Sequence, residues 1–330
     1  MTLSPDARVV RHGVLNLNKS SGWTSHDVVA RLRKSFGGVK VGHAGTLDPA
    51  ATGVLPILLG KGTRIAEYLL DWDKEYRAVL RLGETTDTLD ATGMVLERRP
   101  LDAVNEEAIH AATAAFKGRI RQMPPMYSAV KVHGVPLYKS ARQGHVVERA
   151  SREVTVHRLD VEHIRGRDVF LRIHCSKGTY IRTLCADIGE ALHVGGHLLS
   201  LQRSKVGPLA VEQAVTMEEV EAQLRAGTGL ASVLSLDAAL EALPACTVDA
   251  GTARRVLHGV PIAYESVLRW EPADQRPTHE EPVRIKDSVG RLLAIGYLQR
   301  PIGRGRETPP IQRIVVRKLL VSEEPAVCVS

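Results

Sequence analysis

The run G-H-A-G-T-L-D-P, Gly42 to Pro49, places one carboxylate, Asp48, in a backbone setting that suits neither a helix nor a strand. Gly45 opens backbone angles closed to other residues, and Pro49 drives Asp48 toward an extended conformation, so its neighbours fix its direction. A carboxylate held rigidly on a loop suits nucleophilic or base chemistry. The plainer reading is a turn in which Asp48 bonds a backbone N–H near the start of the next apolar segment. Arg182 is the second unusual residue. It falls in the predicted first turn of a helix, where the dipole disfavours cations, so it implies either a nearby anion or an ordinary surface arginine. Tyr76 is the third. It carries a hydroxyl on the apolar side of an alternating segment, where the bland alternative is a core tyrosine with its hydroxyl satisfied.

These residues need elements to position them. Ser25 is expected to cap a helix that turns Val28, Val29 and Leu32 inward and leaves Arg31, Arg33 and Lys34 wet. An apolar stretch follows the Asp48 loop to Leu59. From Lys74 to Leu82, Tyr76, Ala78, Leu80 and Leu82 alternate with Glu75, Arg77, Val79 and Arg81, which predicts a strand. Glu106 to Phe116 reads as an alanine-rich helix and Val169 to Cys175 as a strand. Thr179 is expected to cap a helix to about Leu192, with Tyr180 and Arg182 in its first turn at the end of the preceding strand. Thr216 and Glu219 form a capping-box pattern before a helix ending near Gly227. A domain boundary is expected near residue 240. Beyond Thr247, short apolar runs such as Leu292 to Tyr297 and Ile314 to Val321 predict a small β-rich domain. Arg269 to Pro282 and Arg300 to Pro310 read as long loops, and Ser322 to Ser330 as a partly disordered tail.

At 330 residues and 44% hydrophobic, the chain has material for two domains with sizeable cores. Its net charge of +7 points to a polyanionic partner. The charge is concentrated: nine basic residues face two acids between Pro282 and Leu320, and seven face three between Arg121 and Asp160. Two such clusters suggest an extended phosphate track rather than a solvated face. The four cysteines lack paired metal-ribbon spacing and scaffold density, which predicts reduced thiols. With no segment of roughly 20 uninterrupted apolar residues, a cytoplasmic protein is expected. A phosphate loop at Gly53 to Thr63 fails, because Leu55 stands where glycine is required and Gly62 replaces the hydroxyl residue. Glu84, Asp87 and Asp90 have the oxygen donors for Mg²⁺, but a polar turn accounts for them as well.

Five ordered segments together resemble the TruB family of tRNA pseudouridine-55 synthases: Gly42 to Pro49, Lys74 to Leu82 with the T-D-T-L-D run after it, Met126-Tyr127-Ser128-Ala129, K-G-T-Y-I-R at Lys177 to Arg182, and Leu201 with Arg203 behind it. The resemblance runs from about Gly13 to Thr216 and weakens in the tail. Asn18-Lys19-Ser20-Ser21-Gly22 departs from the Lys-Pro that usually precedes the glycine, a change of loop stiffness that touches no chemical group. The resemblance implies an α+β catalytic domain over residues 1–240, with a mixed, largely antiparallel sheet and a central cleft. It implies a PUA-type RNA-binding domain over 241–330.

The implied reaction breaks the N-glycosidic bond of uridine 55 in the tRNA T-loop, turns the uracil and joins carbon to carbon, without cofactor or metal. Asp48 then resembles the catalytic carboxylate, acting by covalent attack or through a glycal, and Arg182 its charge partner, expected to lower the carboxylate pKa. Tyr76 resembles the residue that stacks on the uracil and relays the C5 proton. Tyr180 and Leu201 complete the pocket wall, and Lys19 joins the substrate-binding set. The target base must be flipped out, and His43 resembles the residue that holds the disrupted loop. The 121–160 segment matches an RNA-gripping insertion, and the basic tail contacts tRNA away from the site. The expected partner is tRNA, with neither DNA nor membrane, and the chain is expected to be a monomer. Two rivals share part of this pattern: a guide-RNA-dependent synthase of the same superfamily, and a non-catalytic tRNA-folding chaperone. A metal-dependent phosphotransfer enzyme is a third.

Overall fold

The computed structural model describes residues 12–321, apart from 129, 133, 146, 228–229, 231, 274–276, 280 and 303–310. Expectations for Met1 to Arg11, Ala129, Cys328, the disordered tail and most of the 300–310 loop lie outside those residues. Backbone contacts divide the chain into two units. One contains Leu15–Ile57 and Leu69–Ser232; the other gathers Leu58–Tyr68 with the described residues from 233 onward.

The first unit is built on a sheet in the order Gly13–Lys19, Thr52–Leu59, Gly196–Val206, Lys74–Leu82, Asp168–Cys175, Arg152–Arg165, Gly118–Gln122. Lys74–Leu82 forms over the predicted span because its period of two buries Tyr76, Ala78, Leu80 and Leu82 on one face. It pairs antiparallel with both neighbours, Tyr76 standing opposite Ile173 on one side and Arg203 on the other. Thr52–Leu59 joins Gly196–Val206 in parallel, while the pairs from there to Gly118–Gln122 are antiparallel. The expectation of a mixed, largely antiparallel α+β sheet is therefore borne out. The Ile181–Ala191 helix packs Ile181, Leu184, Cys185 and Ile188 onto the face that carries Tyr76. Each fully buried aliphatic side chain of this kind contributes roughly 1.5–3 kcal/mol.

Two local expectations are corrected by hydrogen bonding. Thr24, not Ser25, caps the Ser25–Ser35 helix, in a reciprocal capping box with Asp27; Val28, Val29 and Leu32 are buried as expected. Thr179 does not cap the later helix. Its hydroxyl donates to the Ser176 carbonyl at 2.9 Å, and Tyr180 occupies the cap without a side-chain bond. Gln122 takes over the work, accepting from the Tyr180 N–H at 3.0 Å and donating to its carbonyl at 3.3 Å. The capping box of Thr216 and Glu219 forms, and Gly227 ends that helix in the left-handed region. The acidic run adopts the polar-turn alternative: Asp90 Oδ1 accepts from the Thr92 N–H and the Thr88 and Thr92 hydroxyls, and Asp87 Oδ1 from the Met94 N–H.

The second unit is β-rich, as expected, in the order Ile262–Ala263, Ile311–Leu319, Leu292–Ile302, Pro282–Lys286, Ala245–Val248, Val267–Glu271. Its Ala250–Leu257 helix sends Ala253 and Val256 into the core. The 269–282 segment is less of a loop than expected. Residues 269–271 continue a strand because Trp270 is buried opposite Cys246. Likewise 300–302 end the Leu292–Ile302 strand.

Candidate active site

Asp48 is presented by a loop tied down from three directions. Gly45 adopts φ +90°, the left-handed region its sequence position called for. The buried Ser25 hydroxyl, released from capping, accepts the Leu47 N–H at 2.9 Å and donates to the Leu47 carbonyl at 3.1 Å. Lys19 Nζ donates to the carbonyls of Ser20, Trp23 and Pro49 at 2.9, 2.8 and 3.2 Å. From the opposite side, Arg203 donates Nε to the Val54 carbonyl at 2.7 Å, Nη2 to Gly45 at 3.0 Å and Nη1 to Thr46 at 3.4 Å. The neighbouring strands approach unusually closely here: a Cβ on Gly53, at φ +101°, would lie 2.2 Å from the Arg203 carbonyl oxygen.

The turn reading of Asp48 is half right. Its backbone carbonyl accepts the Ala51 N–H at 3.1 Å, but its carboxylate faces Arg182 instead of a backbone donor. Arg182 Nε stands 3.0 Å from Oδ2 and Nη2 3.3 Å from Oδ1, the two-pronged geometry that strengthens a carboxylate pair. The Arg182 side chain is only 6% exposed, which rules out a surface arginine, whereas Asp48 keeps 40% of its side-chain surface open. Nη1 donates to the Thr88 carbonyl and Nη2 to the Tyr127 carbonyl, so segments that are distant in sequence fix the guanidinium. Asp90 Oδ2 lies 3.9 Å from Nε as a second carboxylate.

Burial pushes the Asp48 carboxyl above its ordinary pKa, since the low-polarity surroundings disfavour charge more than Arg182 favours it; Asp90 adds to the upward push. The sequence had suggested a net lowering. The arginine does pull downward, but dehydration of the site outweighs it.

Tyr76 is buried, and burial lifts its phenol to about 12 against the positive charge of Arg203. Leu201 sits opposite Ala78 in the adjacent strand and packs on the same core as Tyr76. Tyr180 is half-buried at the start of the helix carrying Arg182. His43 ends the Val41–His43 strand. Its Nδ1 is buried without a hydrogen-bond partner, and burial lowers its pKa, which favours the neutral ring. Lys19, expected to touch substrate, is instead 1% exposed with three carbonyl partners, and burial lowers its pKa to about 8. Its place is inside the loop scaffold, although its charge still reaches Asp48.

Sequence reasoning brought Asp48, Tyr76 and Arg182 together but missed three supports. Asp90 was weighed only as a metal ligand or turn residue, Ser25 only as a cap and Arg203 only as a neighbour of Leu201. A buried serine just after a better capping threonine was the available signal for Ser25.

Residues 33–181 match the model of the TruB family pseudouridylate synthase N-terminal domain, and residues 182–243 that of the tRNA pseudouridylate synthase B C-terminal domain. Among relatives, the tRNA pseudouridine synthase B of Thermobifida fusca is 47% identical over 86% of this chain and 93% of its own. That of Ralstonia pickettii is 49% identical over 87% and 91%. Among solved structures, a Cbf5-Nop10-Gar1 complex matches with TM-score 0.72 and 29% identity over 96% of this chain and 91% of that one. An H/ACA RNP bound to a substrate RNA containing 2'-deoxyuridine matches with TM-score 0.71 and 26% identity over 98% and 92%. With identity this high over nearly the whole length of both chains, and an aspartate and arginine paired in the loop and helix that the family motifs mark, the chain belongs to the TruB family of pseudouridylate synthases.

Proposed function

We propose that the chain converts uridine 55 in the T-loop of tRNA to pseudouridine, with Asp48 as the catalytic carboxylate. The observation that carries this reading is the partly open Asp48 carboxylate gripped by the buried Arg182 at 3.0 Å. Arg182 orients one carboxylate oxygen pair and holds Asp48 against rotation, leaving its open side for a base extruded from the loop. Flipping a nucleotide costs a few kcal/mol, repaid by stacking and by the positive surroundings of the pocket. Asp48 then acts on the sugar or the ring while the glycosidic bond breaks, the uracil turns and C5 bonds to the sugar. Tyr76 stacks on the uracil and relays the C5 proton; Leu201 and Tyr180 wall the pocket. His43, neutral and with a free buried nitrogen, supports the disrupted loop. The reaction is an isomerisation and requires no cofactor.

In this reading residues 1–240 form the catalytic domain, 121–160 grip RNA, and 241–330 act as a PUA-type module that contacts tRNA away from the site. The protein works on tRNA as a monomer in the cytoplasm. Relatives named for tRNA modification are 41–49% identical, whereas the ribonucleoprotein structures are 26–29% identical, which favours direct action on tRNA over guide-dependent action. The test is pseudouridine mapping on an unmodified tRNA transcript incubated with the purified chain alone. Modification confined to position 55 is expected; an untouched transcript, or one modified only when a guide RNA is added, refutes the reading.

A further inference from the structure

Among the described residues Arg203 is the largest fully buried side chain, and no carboxylate lies within ion-pair distance of it. A buried guanidinium without a counter-ion is expensive to keep unless hydrogen bonds absorb its charge. Here the fork is divided between two tasks. Its N–H groups reach the carbonyls of Gly45 and Thr46, three and two residues before Asp48, and that of Val54 beyond it. The same residue stands opposite Tyr76 in the adjacent strand, and its positive charge acts on the Tyr76 phenol.

We infer that Arg203 is the positioning residue that sets the Asp48 loop and the Tyr76 phenol at a fixed separation, so that the carboxylate and the proton relay meet the same nucleoside. This rests on the reading of Tyr76 given above. A planar five-donor fork satisfies partners in several directions at once; an ammonium, with the same charge, does not. The groups acting electrostatically on the Tyr76 hydroxyl are Arg203, Cys175 and Asp48. Arg203 is therefore the one cation among them, and the one that favours the phenolate, the form able to take the C5 proton. In that step the C5–H bond breaks and its electron pair re-forms the C5–C6 double bond while the C6–N1 double bond opens onto N1, which takes a proton from water; the C5 proton passes to the Tyr76 phenolate oxygen, whose earlier proton has gone to water.

The test is Arg203→Lys, assayed on tRNA transcribed with ordinary uridine and with uridine deuterated at C5, beside the unaltered chain. We expect kcat to fall at least tenfold, KM to stay within about threefold, and the deuterium effect on kcat to rise above that of the unaltered chain, because proton removal becomes slower than the other steps. A kcat within twofold of the unaltered chain overturns the inference, as does a loss of kcat with an unchanged isotope effect. Circular dichroism and urea melts accompany both Arg203→Lys and Arg203→Gln; if neither variant folds, the residue serves stability alone and the inference is likewise overturned. The unaltered chain separates this from the parent reading. If it modifies tRNA and Tyr76→Phe is as active, the relay role of Tyr76 fails; if Tyr76→Phe is impaired and Arg203→Lys is not, only the role of Arg203 fails.

Discussion

Arg182 turns two guanidinium nitrogens onto the Asp48 carboxylate, at 3.0 and 3.3 Å, yet the carboxyl remains harder to ionise than a free aspartate. Burial disfavours the charged form and Arg182 favours it, with burial the stronger. Activity that needs the carboxylate is lost as pH falls, so the acid limb of kcat/KM should have its midpoint above the ordinary 3.8. Removing the weaker, downward pull moves it further in the same direction. Arg182→Ala should shift the limb to higher pH and lower kcat by about 100-fold or more. A limb that stays in place or moves to lower pH would show that Arg182 does not govern this ionisation.

Asp48→Asn should abolish pseudouridine formation, with tRNA affinity held within a few-fold, as measured by mapping and filter binding. It should also change how stability depends on pH. A carboxyl whose pKa is raised on folding lends most stability below its unfolded value, and that contribution is lost as pH rises through the folded value. Relative to the unaltered chain, the asparagine chain should therefore gain stability as pH rises from the unfolded value through the folded one, read as melting temperature against pH. Full modification by this variant would remove Asp48 from the mechanism.

Ser25→Ala leaves the Leu47 N–H and carbonyl without their partner in a buried site. The expected cost is about 1–3 kcal/mol in urea unfolding, with a larger fall in kcat than in tRNA affinity. Thr24→Ala, which removes the cap but not the loop anchor, should cost about 1 kcal/mol and spare kcat. Equal kinetic losses would place the two residues in one role.

Gly53→Ala forces a Cβ to within 2.2 Å of the Arg203 carbonyl oxygen and requires a left-handed alanine. We expect a loss of about 3 kcal/mol or more, read as a lower urea midpoint, with impaired turnover in the fraction that folds.

Arg313 and Arg317 are exposed on the Ile311–Leu319 strand, whereas Lys318 is engaged with Glu67 at 2.8 Å and with the Arg64 carbonyl. Replacing both arginines by alanine should weaken tRNA binding and reduce its salt slope by about 1–2, leaving single-turnover rate at saturation unchanged. A kinetic defect without a change in salt dependence would contradict that division.

The legible parts of the fold were those written in local pattern. The alternation around Tyr76 fixed a strand and its buried face, and Thr216 with Glu219 announced a helix start, because both signals lie within one element. Gly45 and Pro49 made the Asp48 loop readable for the same reason. What escaped was decided by distant partners. Nothing near Ser25 indicates that it would be needed at Leu47, nothing near Thr179 that Gln122 would do its work, and nothing beside Lys19 that three carbonyls would enclose it. The pKa direction of Asp48 failed similarly: the opposing arginine was visible in the motifs, but the degree of dehydration is a property of the assembled site.

Lys19 and Arg203 are both held by peptide oxygens rather than by acids. Dipoles steady a cation without cancelling it. The two cations behind the Asp48 loop thus keep a standing positive field although their donors are bonded to neutral oxygens, and a ribose-phosphate strand that bends inward meets attraction before any side chain has to move.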